Sequence, residues 1–169
     1  MRLRVGTAAD TATVARIFTA CWQDAYLGVV AAEVLARLDI PAAAALWTPL
    51  LAAADPDGEV IVAEDGGGAV NGLIRFGLDP EERSRGHVFS LYVDPIVAAA
   101  GIGGALLGQA VSWFCSRRMG EATLWVFEAN RHARGFYERR GWAPDGARRV
   151  EPEFGADEVR LRRAFDEWI

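Results

Sequence analysis

The chain has 169 residues with a formal net charge of −5, and 51% of its residues are hydrophobic while 24% are charged. This length suits one domain with a single core, and the composition excludes a disordered chain. All 18 basic residues are arginine, so a lysine-dependent P-loop and Schiff-base or pyridoxal-phosphate chemistry are excluded. The acidic balance also argues against a nucleic-acid partner.

The few cysteines and histidines of the chain do not form a zinc-binding pattern. Cys21 and Cys115 are far apart and lack CxxC spacing, and only His87 and His132 accompany them. We expect both cysteines to be buried apolar residues, without a disulfide, which favours a reducing compartment. The sequence shows neither the apolar run of a signal peptide nor a transmembrane stretch. We therefore expect a cytoplasmic protein without a membrane partner and without a metal.

The predicted elements of the first half are a strand at 3–5, a helix that begins near Thr7, helices at 34–38 and 42–54, and strands at 59–64 and 69–78. The helix after Thr7 is amphipathic, because apolar residues from Val14 to Trp22 recur at three- and four-residue spacing. The two strands form a hairpin, because the turn sequence DGGG at 65–68 separates them.

The predicted elements of the second half are a strand at 87–93, a helix from Ile102, a strand at 123–127, a helix at 130–140, and strands from Trp142 onward and at 158–165. The strand at 87–93 is rich in β-branched and aromatic residues. The segment at 158–165 also fits a helix. The sequence shows neither a repeat nor a linker, so we expect one domain over residues 1–169.

A glycine-rich turn joins the strand at 87–93 to the helix from Ile102. In the sequence GIGG at 101–104, glycine removes the Cβ that would block a phosphate, and the helix N-terminus offers N–H groups and a positive dipole. This turn can bind a pyrophosphate without lysine. A turn that only packs the helix against the sheet fits equally well. The dinucleotide fingerprint GxGxxG does not fit, because Leu106 occupies its last glycine position.

A second motif, NRHARGFY at 130–137, follows the strand at 123–127. Together the two segments resemble the GCN5-related N-acetyltransferase (GNAT) family, whose loop reads (Arg/Gln)-x-x-Gly-x-(Gly/Ala) and whose later helix reads Asn-x-x-Ala-x-x-(Phe/Tyr)-Tyr. The first helix, with Trp22 and Tyr26, is also similar to the N-terminal region of the family. The resemblance implies an α/β fold of α+β type, in which helices flank a mixed, mainly antiparallel central sheet.

The resemblance also implies transfer of an acetyl group from acetyl-CoA (coenzyme A) to a primary amine by direct attack on the thioester. A small-molecule or peptide amine is the implied acceptor, and a homodimer is compatible with the family. Two other functions stay open from the sequence. One is a non-catalytic acyl-CoA-binding or regulatory domain on the same scaffold, and the other is a structural domain without a cofactor.

The residues that the resemblance assigns to coenzyme A lie on the strand, the glycine loop and the later helix: Leu91, Tyr92, Val93, Ala98, Ala99, Ala100, Gly101, Ile102, Gly103, Gly104, Ala105, Asn130, Ala133, Phe136 and Tyr137. Leu91 and Val93 are expected to bind through their backbone groups. Ala98 replaces the arginine or glutamine that opens the family's loop motif. Phosphate binding must therefore depend on backbone N–H groups. Arg131 or Arg134 could be a partial substitute, although a solvated charge on the helix surface is the favoured interpretation of either residue.

Two residues are assigned to catalysis by the same resemblance. Tyr137 is expected to donate a hydrogen bond to the departing sulfur, although a packed tyrosine also fits. His87 occupies a position where many members carry a glutamate, and its ordinary pKa near 6.5 suits a general base. An edge-strand histidine that faces solvent is the alternative for His87. Trp22 and Tyr26 are expected to line the acceptor pocket.

Overall fold

The computed structural model describes residues 1–26, 28, 30–97 and 101–165. Its elements are β1 (Arg2–Val5), a 3-10 turn (Ala8–Asp10), α1 (Thr11–Ala25), α2 (Ala32–Leu35), α3 (Ile40–Ala52), β2 (Gly58–Glu64), β3 (Val70–Leu78), β4 (Gly86–Val93), α4 (Ile102–Ser116), β5 (Glu121–Phe127), α5 (Arg131–Glu138), β6 (Ala143–Val150) and β7 (Asp157–Ala164). The predicted elements are confirmed to within a few residues. The segment that also fitted a helix is the strand β7.

The seven strands form one sheet in the order β1-β2-β3-β4-β5-β7-β6. All neighbouring strands are antiparallel except β4 and β5, which are parallel. One face packs against α4 through residues such as Leu106 and Phe114, and the other packs against α1 and α3 through Phe18 and Trp47. The mixed, mainly antiparallel sheet flanked by helices is thereby confirmed. In the residues described, none of the helices has the length and apolar character that crossing a membrane requires.

The parallel contact between β4 and β5 is short. Only Gly86, His87 and Val88 of β4 have partners on β5, although β4 continues to Val93 and β5 continues to Phe127. A bulge in the pairing of β3 with β4 lies beside this point and changes the direction of β4. The two strands therefore separate toward their C-terminal ends and leave a gap in the middle of the sheet.

A buried polar network joins β4 to β5 at the closed end of the gap. The Thr123 hydroxyl donates to Asp79 Oδ2 over 2.7 Å, and Arg85 Nε donates to the same oxygen over 2.8 Å. His87 Nδ1 lies 2.8 Å from Thr123 Oγ1. Because Thr123 gives its single hydroxyl hydrogen to Asp79, His87 Nδ1 must be the donor in this contact. Neutral His87 therefore carries its proton on Nδ1.

The environment of this network keeps His87 neutral and Asp79 charged. Burial lowers the pKa of His87 to about 4, although the neighbouring Asp79 carboxylate acts in the opposite direction. Burial also opposes ionisation of Asp79, but the hydrogen bonds from Arg85 and Thr123 outweigh it and hold its pKa at about 2. Both groups therefore make the free energy of unfolding larger at neutral pH than in acid, because their pKa values are lower in the folded chain than in the unfolded chain.

We predict that acid destabilises the protein through His87 first. The free energy of unfolding should fall by roughly 3 kcal/mol as the pH drops from 6.5 to about 4, because the unfolded chain protonates His87 and the folded chain does not. A further loss should follow below the ordinary pKa of Asp79, which is 3.8. Urea denaturation at about pH 7 and about pH 4.5 measures the first loss.

Histidine variants test whether this loss of unfolding free energy comes from His87. His87→Asn keeps a donor near Thr123 and should remove most of the loss between these two pH values. His132→Asn is the matched control, because His132 is the only other histidine of the chain and is exposed. A pH dependence that His87→Asn leaves unchanged would contradict the assignment.

Candidate active site

A cavity of about 460 Å³ opens where β4 and β5 separate. Its lining includes apolar residues from both faces of the sheet, such as Val126 on the α4 face and Phe127 on the α1 face. The cavity therefore passes through the sheet. All three tyrosines of the chain, Tyr26, Tyr92 and Tyr137, lie in this lining.

Backbone groups of β4 face the gap. Asp94 N–H donates to Asn71 O of β3 over 2.9 Å. Because successive residues of a strand alternate in direction, the N–H and C=O groups of Leu91 and Val93 point away from β3 and toward β5. The carbonyl of Val93 accepts a hydrogen bond from the Cys21 thiol over 3.1 Å, which agrees with this direction. The N–H groups of Leu91 and Val93 are left facing the gap.

The N-terminus of α4 lies beside this gap. Gly101 precedes the helix with a φ of +74°, a left-handed conformation that favours glycine. The first turn has neither an acidic residue nor a side-chain cap, so the N–H groups of Ile102, Gly103 and Gly104 are available to an anion. Ala105 N–H is used within the helix and donates to Gly101 O over 3.1 Å. This geometry fits a phosphate.

Glycine at position 103 brings α5 close to α4. A Cβ at Gly103 would lie 3.3 Å from the Phe136 ring. The structure therefore brings the predicted glycine loop and the predicted α5 residues together around one cavity. The predicted cofactor residues Ala98, Ala99 and Ala100 lie outside the described residues.

Helix α5 supplies the other wall of the gap. Asn130 caps the helix, because its side chain accepts a hydrogen bond from Ala133 N–H over 3.0 Å. Asn130, Ala133, Phe136 and Tyr137 all line the cavity. Burial raises the pKa of Tyr137, so its hydroxyl stays protonated at neutral pH. The described residues provide no hydrogen-bond acceptor for this hydroxyl, which leaves it as a donor toward the cavity.

Arg140, which the motifs did not indicate, lies beside the first turn of α4 and outside the lining of the cavity. Its guanidinium lies 3.9 Å from the centre of the Phe136 ring, and its Nη1 donates to Phe136 O over 2.9 Å. Its Nη2 lies 3.2 Å from the position of a Cβ on Gly104, which places a positive charge on the first turn of α4. Across the described part of the chain, no carboxylate lies within 4.0 Å of this guanidinium. The spacing of four residues between Phe136 and Arg140 is the sequence signal that could have identified the pair.

The two arginines that the sequence suggested as phosphate ligands lie elsewhere. Arg131 is exposed, and neither Arg131 nor Arg134 belongs to the lining of the cavity. Arg134 instead lies 3.8 Å from Glu138 on its own helix and donates to the backbone of Glu128 over 3.3 Å. Arg140 also lies outside this lining, but its guanidinium lies beside the first turn of α4.

Aromatic rings form the wall on the α1 side. The Trp22 ring lies 4.5 Å from both the Tyr26 and Phe154 rings, and the Tyr26 ring lies 4.9 Å from the Phe127 ring. The indole N–H of Trp22 donates to the Tyr92 hydroxyl over 3.1 Å, which fixes the orientation of the indole. Trp22 and Tyr26, which were predicted to line an acceptor pocket, are thus both in the cavity.

Cys21 lines the same cavity but is not an activated nucleophile. Burial raises the pKa of its thiol to about 12, against the hydrogen bond with Val93. A thiolate is the reactive form of cysteine, and Cys21 is therefore held in the unreactive thiol form. Its observed contact is the hydrogen bond that holds the Val93 carbonyl. The described residues contain no disulfide, and both cysteines are free.

The position of His87 contradicts its predicted role. β4 is an interior strand, so His87 is not an edge-strand residue facing solvent, and it is 7% exposed. It is absent from the residues that line the cavity, its Nδ1 is bonded to Thr123, and its pKa of about 4 makes it a weak base. His87 is therefore not positioned to act as the general base, and it belongs to the network that joins β4 to β5.

Comparison with known proteins agrees with this geometry. The sequence profile of the acetyltransferase (GNAT) family matches residues 13–142. The probable N-acetyltransferase Rv2775 of Mycobacterium tuberculosis is 29% identical over 152 residues, which cover 86% of this chain and 82% of that protein.

Solved structures share the fold over nearly the whole chain. The PaiA N-acetyltransferase of Thermoplasma acidophilum, in complex with coenzyme A, has a TM-score of 0.76 at 16% identity and covers 97% of this chain and 98% of its own. The ribosomal-protein-alanine N-acetyltransferase of Brucella melitensis has a TM-score of 0.72 at 19% identity, with 98% and 100% covered. Because the family profile matches well over half of the sequence, this chain belongs to the acetyltransferase (GNAT) family and is an acetyl-CoA-dependent N-acetyltransferase.

Proposed function

We propose that the chain transfers the acetyl group of acetyl-CoA to a primary amine by direct attack of the neutral amine on the thioester. The C–N bond of the amide forms, the C–S bond breaks, coenzyme A leaves as a thiolate, and the surplus proton of the amine passes to solvent water. The gap between β4 and β5 is the observation that carries this proposal. Unpaired N–H groups of β4, the Tyr137 hydroxyl and the glycine-rich start of α4 all border one cavity. Few other protein functions would require these three sets of hydrogen-bond donors around one channel.

The residues of the gap fit a long ligand with amides at one end and phosphates at the other. The N–H groups of Leu91 and Val93 would pair with the amides of the pantetheine arm, as an added strand pairs with a sheet edge. The first-turn N–H groups of α4 would bind the pyrophosphate. When bound, acetyl-CoA supplies an acyl group that is activated as a thioester.

Two hydrogen-bond donors would assist the transfer. The N–H of Val93 would donate to the thioester oxygen, which gains negative charge as the amine attacks. Cys21 holds the carbonyl of Val93, which belongs to the next peptide along the chain, and so restrains the backbone immediately after this N–H. The Tyr137 hydroxyl would donate to the sulfur that departs. An ordinary phenol pKa of about 10 exceeds that of a thiol, about 8.5, so a hydrogen bond from Tyr137 is favoured over full proton transfer.

Tyr137→Phe tests the donor to sulfur. We expect kcat to fall by about 100-fold, because the ring and its packing remain while the donor is lost. The dissociation constant for coenzyme A, measured by calorimetry, should hardly change. Thiol release from acetyl-CoA with a panel of primary amines, including benzylamine, measures kcat.

The outcomes of this experiment separate the competing functions. Turnover that Tyr137→Phe leaves unaltered would remove Tyr137 from the mechanism. Coenzyme A binding by the unmodified protein, without turnover of any amine, would favour the regulatory acyl-CoA-binding domain instead.

Arg140→Gln tests the source of positive charge at α4. We expect affinity for coenzyme A to fall by about 10-fold, because a charged hydrogen bond to a phosphate is lost. Arg139→Gln is the matched control, since Arg139 is the exposed neighbour on the same helix end. The wild-type affinity should also weaken as salt rises from about 0.05 M to about 0.3 M.

The role of Arg140 would be refuted if the two variants bound coenzyme A equally well. Calorimetry with dephospho-coenzyme A identifies the phosphate that Arg140 contacts. A loss that persists with this analogue places the contact on the pyrophosphate, and a loss that disappears places it on the 3′-phosphate.

A further inference from the structure

The cavity continues from Tyr26 to the hairpin of β6 and β7, where its charged lining is mainly acidic. Two carboxylates, those of Glu151 and Glu158, border this part, and a third, that of Asp24, lines the cavity from α1. Arg149 is the only arginine among the described lining residues. The N-terminus of α4, at the other end of the cavity, has no acidic residue in its first turn. The two ends of the cavity therefore suit ligand groups of opposite charge.

Glu158 is the most buried carboxylate of this acidic part. It lies on β7 between Phe127 of β5 and Arg149 of β6, and it is 8% exposed. Its Oε2 accepts a hydrogen bond from Arg149 Nε over 2.6 Å. Burial raises the pKa of Glu158, the Arg149 guanidinium lowers it, and the nearby Glu151 carboxylate raises it further. In the described structure no protein donor reaches Oε1, and this oxygen is not among the fully buried atoms that lack a partner, so it remains accessible to water or to a ligand.

Arg149 does not fully neutralise this part of the cavity. Its side chain is 45% exposed, and its guanidinium stacks on the Trp125 ring at 4.4 Å. One such partly solvated cation stands against the two carboxylates of Glu151 and Glu158. A positively charged ligand group that pairs with the free oxygen of Glu158 would gain a charge-assisted hydrogen bond.

Aromatic side chains border the same space. Trp22, Tyr26, Phe127 and Phe154 form the wall described above, and all four line the cavity with Glu158. The negative faces of aromatic rings attract cations, and their area favours flat apolar groups. A carboxylate and an aromatic wall together recognise an organic cation better than either does alone.

We propose that the acceptor carries a positively charged group in addition to the amine that is acetylated, and that Glu158 binds this group against the aromatic wall. This inference rests on the proposed function and names its substrate class, a small apolar diamine or an equivalent cationic amine. The bound charge is separate from the reacting amine, because a carboxylate stabilises an ammonium ion and an amine must be neutral to attack. Glu158 therefore determines specificity.

A matched pair of amines tests this proposal. Benzylamine and 1,4-bis(aminomethyl)benzene share a flat ring and a primary amine, and only the second carries another positive charge. In the presence of coenzyme A, calorimetry should show about 10-fold tighter binding of the diamine. In acetyl transfer, the same preference should appear in KM, with similar kcat for the two amines.

Two glutamate variants assign the preference to Glu158. Glu158→Gln should make the affinities for the two amines nearly equal. Glu153→Gln should preserve the difference, because Glu153 lies on the same hairpin but is exposed and outside the cavity lining. The melting temperature of each variant shows that it is folded, and the comparison of the two amines on the unmodified protein stands without either variant.

Equal affinities on the unmodified protein, failure of both amines to bind, or a preference that survives Glu158→Gln would overturn this inference. Coenzyme A binding is measured separately and tests the proposed function. If coenzyme A binds and only the amine preference is absent, the inference about Glu158 fails and the proposed function stands. If coenzyme A does not bind, the proposed function itself fails.

Discussion

The parallel pairing of β4 with β5 ends at Val88, and the two strands then separate although both continue for several residues. Backbone N–H groups that are left without partners destabilise a fold unless water or a ligand satisfies them. The buried contacts of Asp79, Thr123 and His87 fix the point of separation, because they join the ends of β3, β5 and β4. The cavity, its backbone donors and its two chemically different ends all depend on this separation.

The distribution of charge along the cavity explains how a chain with a net charge of −5 suits an anionic cofactor. The positive potential is local, since it arises from the first turn of α4 and from Arg140 stacked on Phe136. Two of the three acidic residues that line the cavity, Glu151 and Glu158, lie at the β6–β7 hairpin, and the third, Asp24, lies on α1. Lysine is absent from the sequence, so the charge at α4 comes from an arginine whose planar group can stack on an aromatic ring and still donate to a phosphate.

Local patterns were sufficient to predict the elements and part of the site. The turn at 101–104 and the helix predicted at 130–140 depend on neighbours in sequence, and the structure has the turn at the start of α4 and the helix as α5. The roles of His87 and Arg140 depend on residues that are distant in sequence. The partners of His87 arrive from β5 and from the end of β3, and Arg140 reaches Gly104 only because α5 packs against α4. No spacing rule encodes such contacts.

The last strand, β7, also could not be predicted from local sequence patterns alone. The segment at 158–165 fitted either a helix or a strand, because its arginines interrupt any simple period. It is a strand because β5 and β6 pair with it on both sides. Glu158 is buried for the same reason, since β7 lies between β6, which precedes it in sequence, and β5, from which α5 and β6 separate it along the chain. An acidic residue in a polar segment gives no indication that it will be buried until the strand order is known.

Amide hydrogen exchange, followed residue by residue by NMR, tests the central claim most directly. That claim is that the separated part of β4 binds the cofactor through the outward N–H groups of Leu91 and Val93. These two amides should exchange rapidly in the free protein and become protected when coenzyme A is added, whereas the Tyr92 amide, which points to β3, should be protected in both states. Binding of coenzyme A that leaves the exchange of Leu91 and Val93 unchanged would contradict the account.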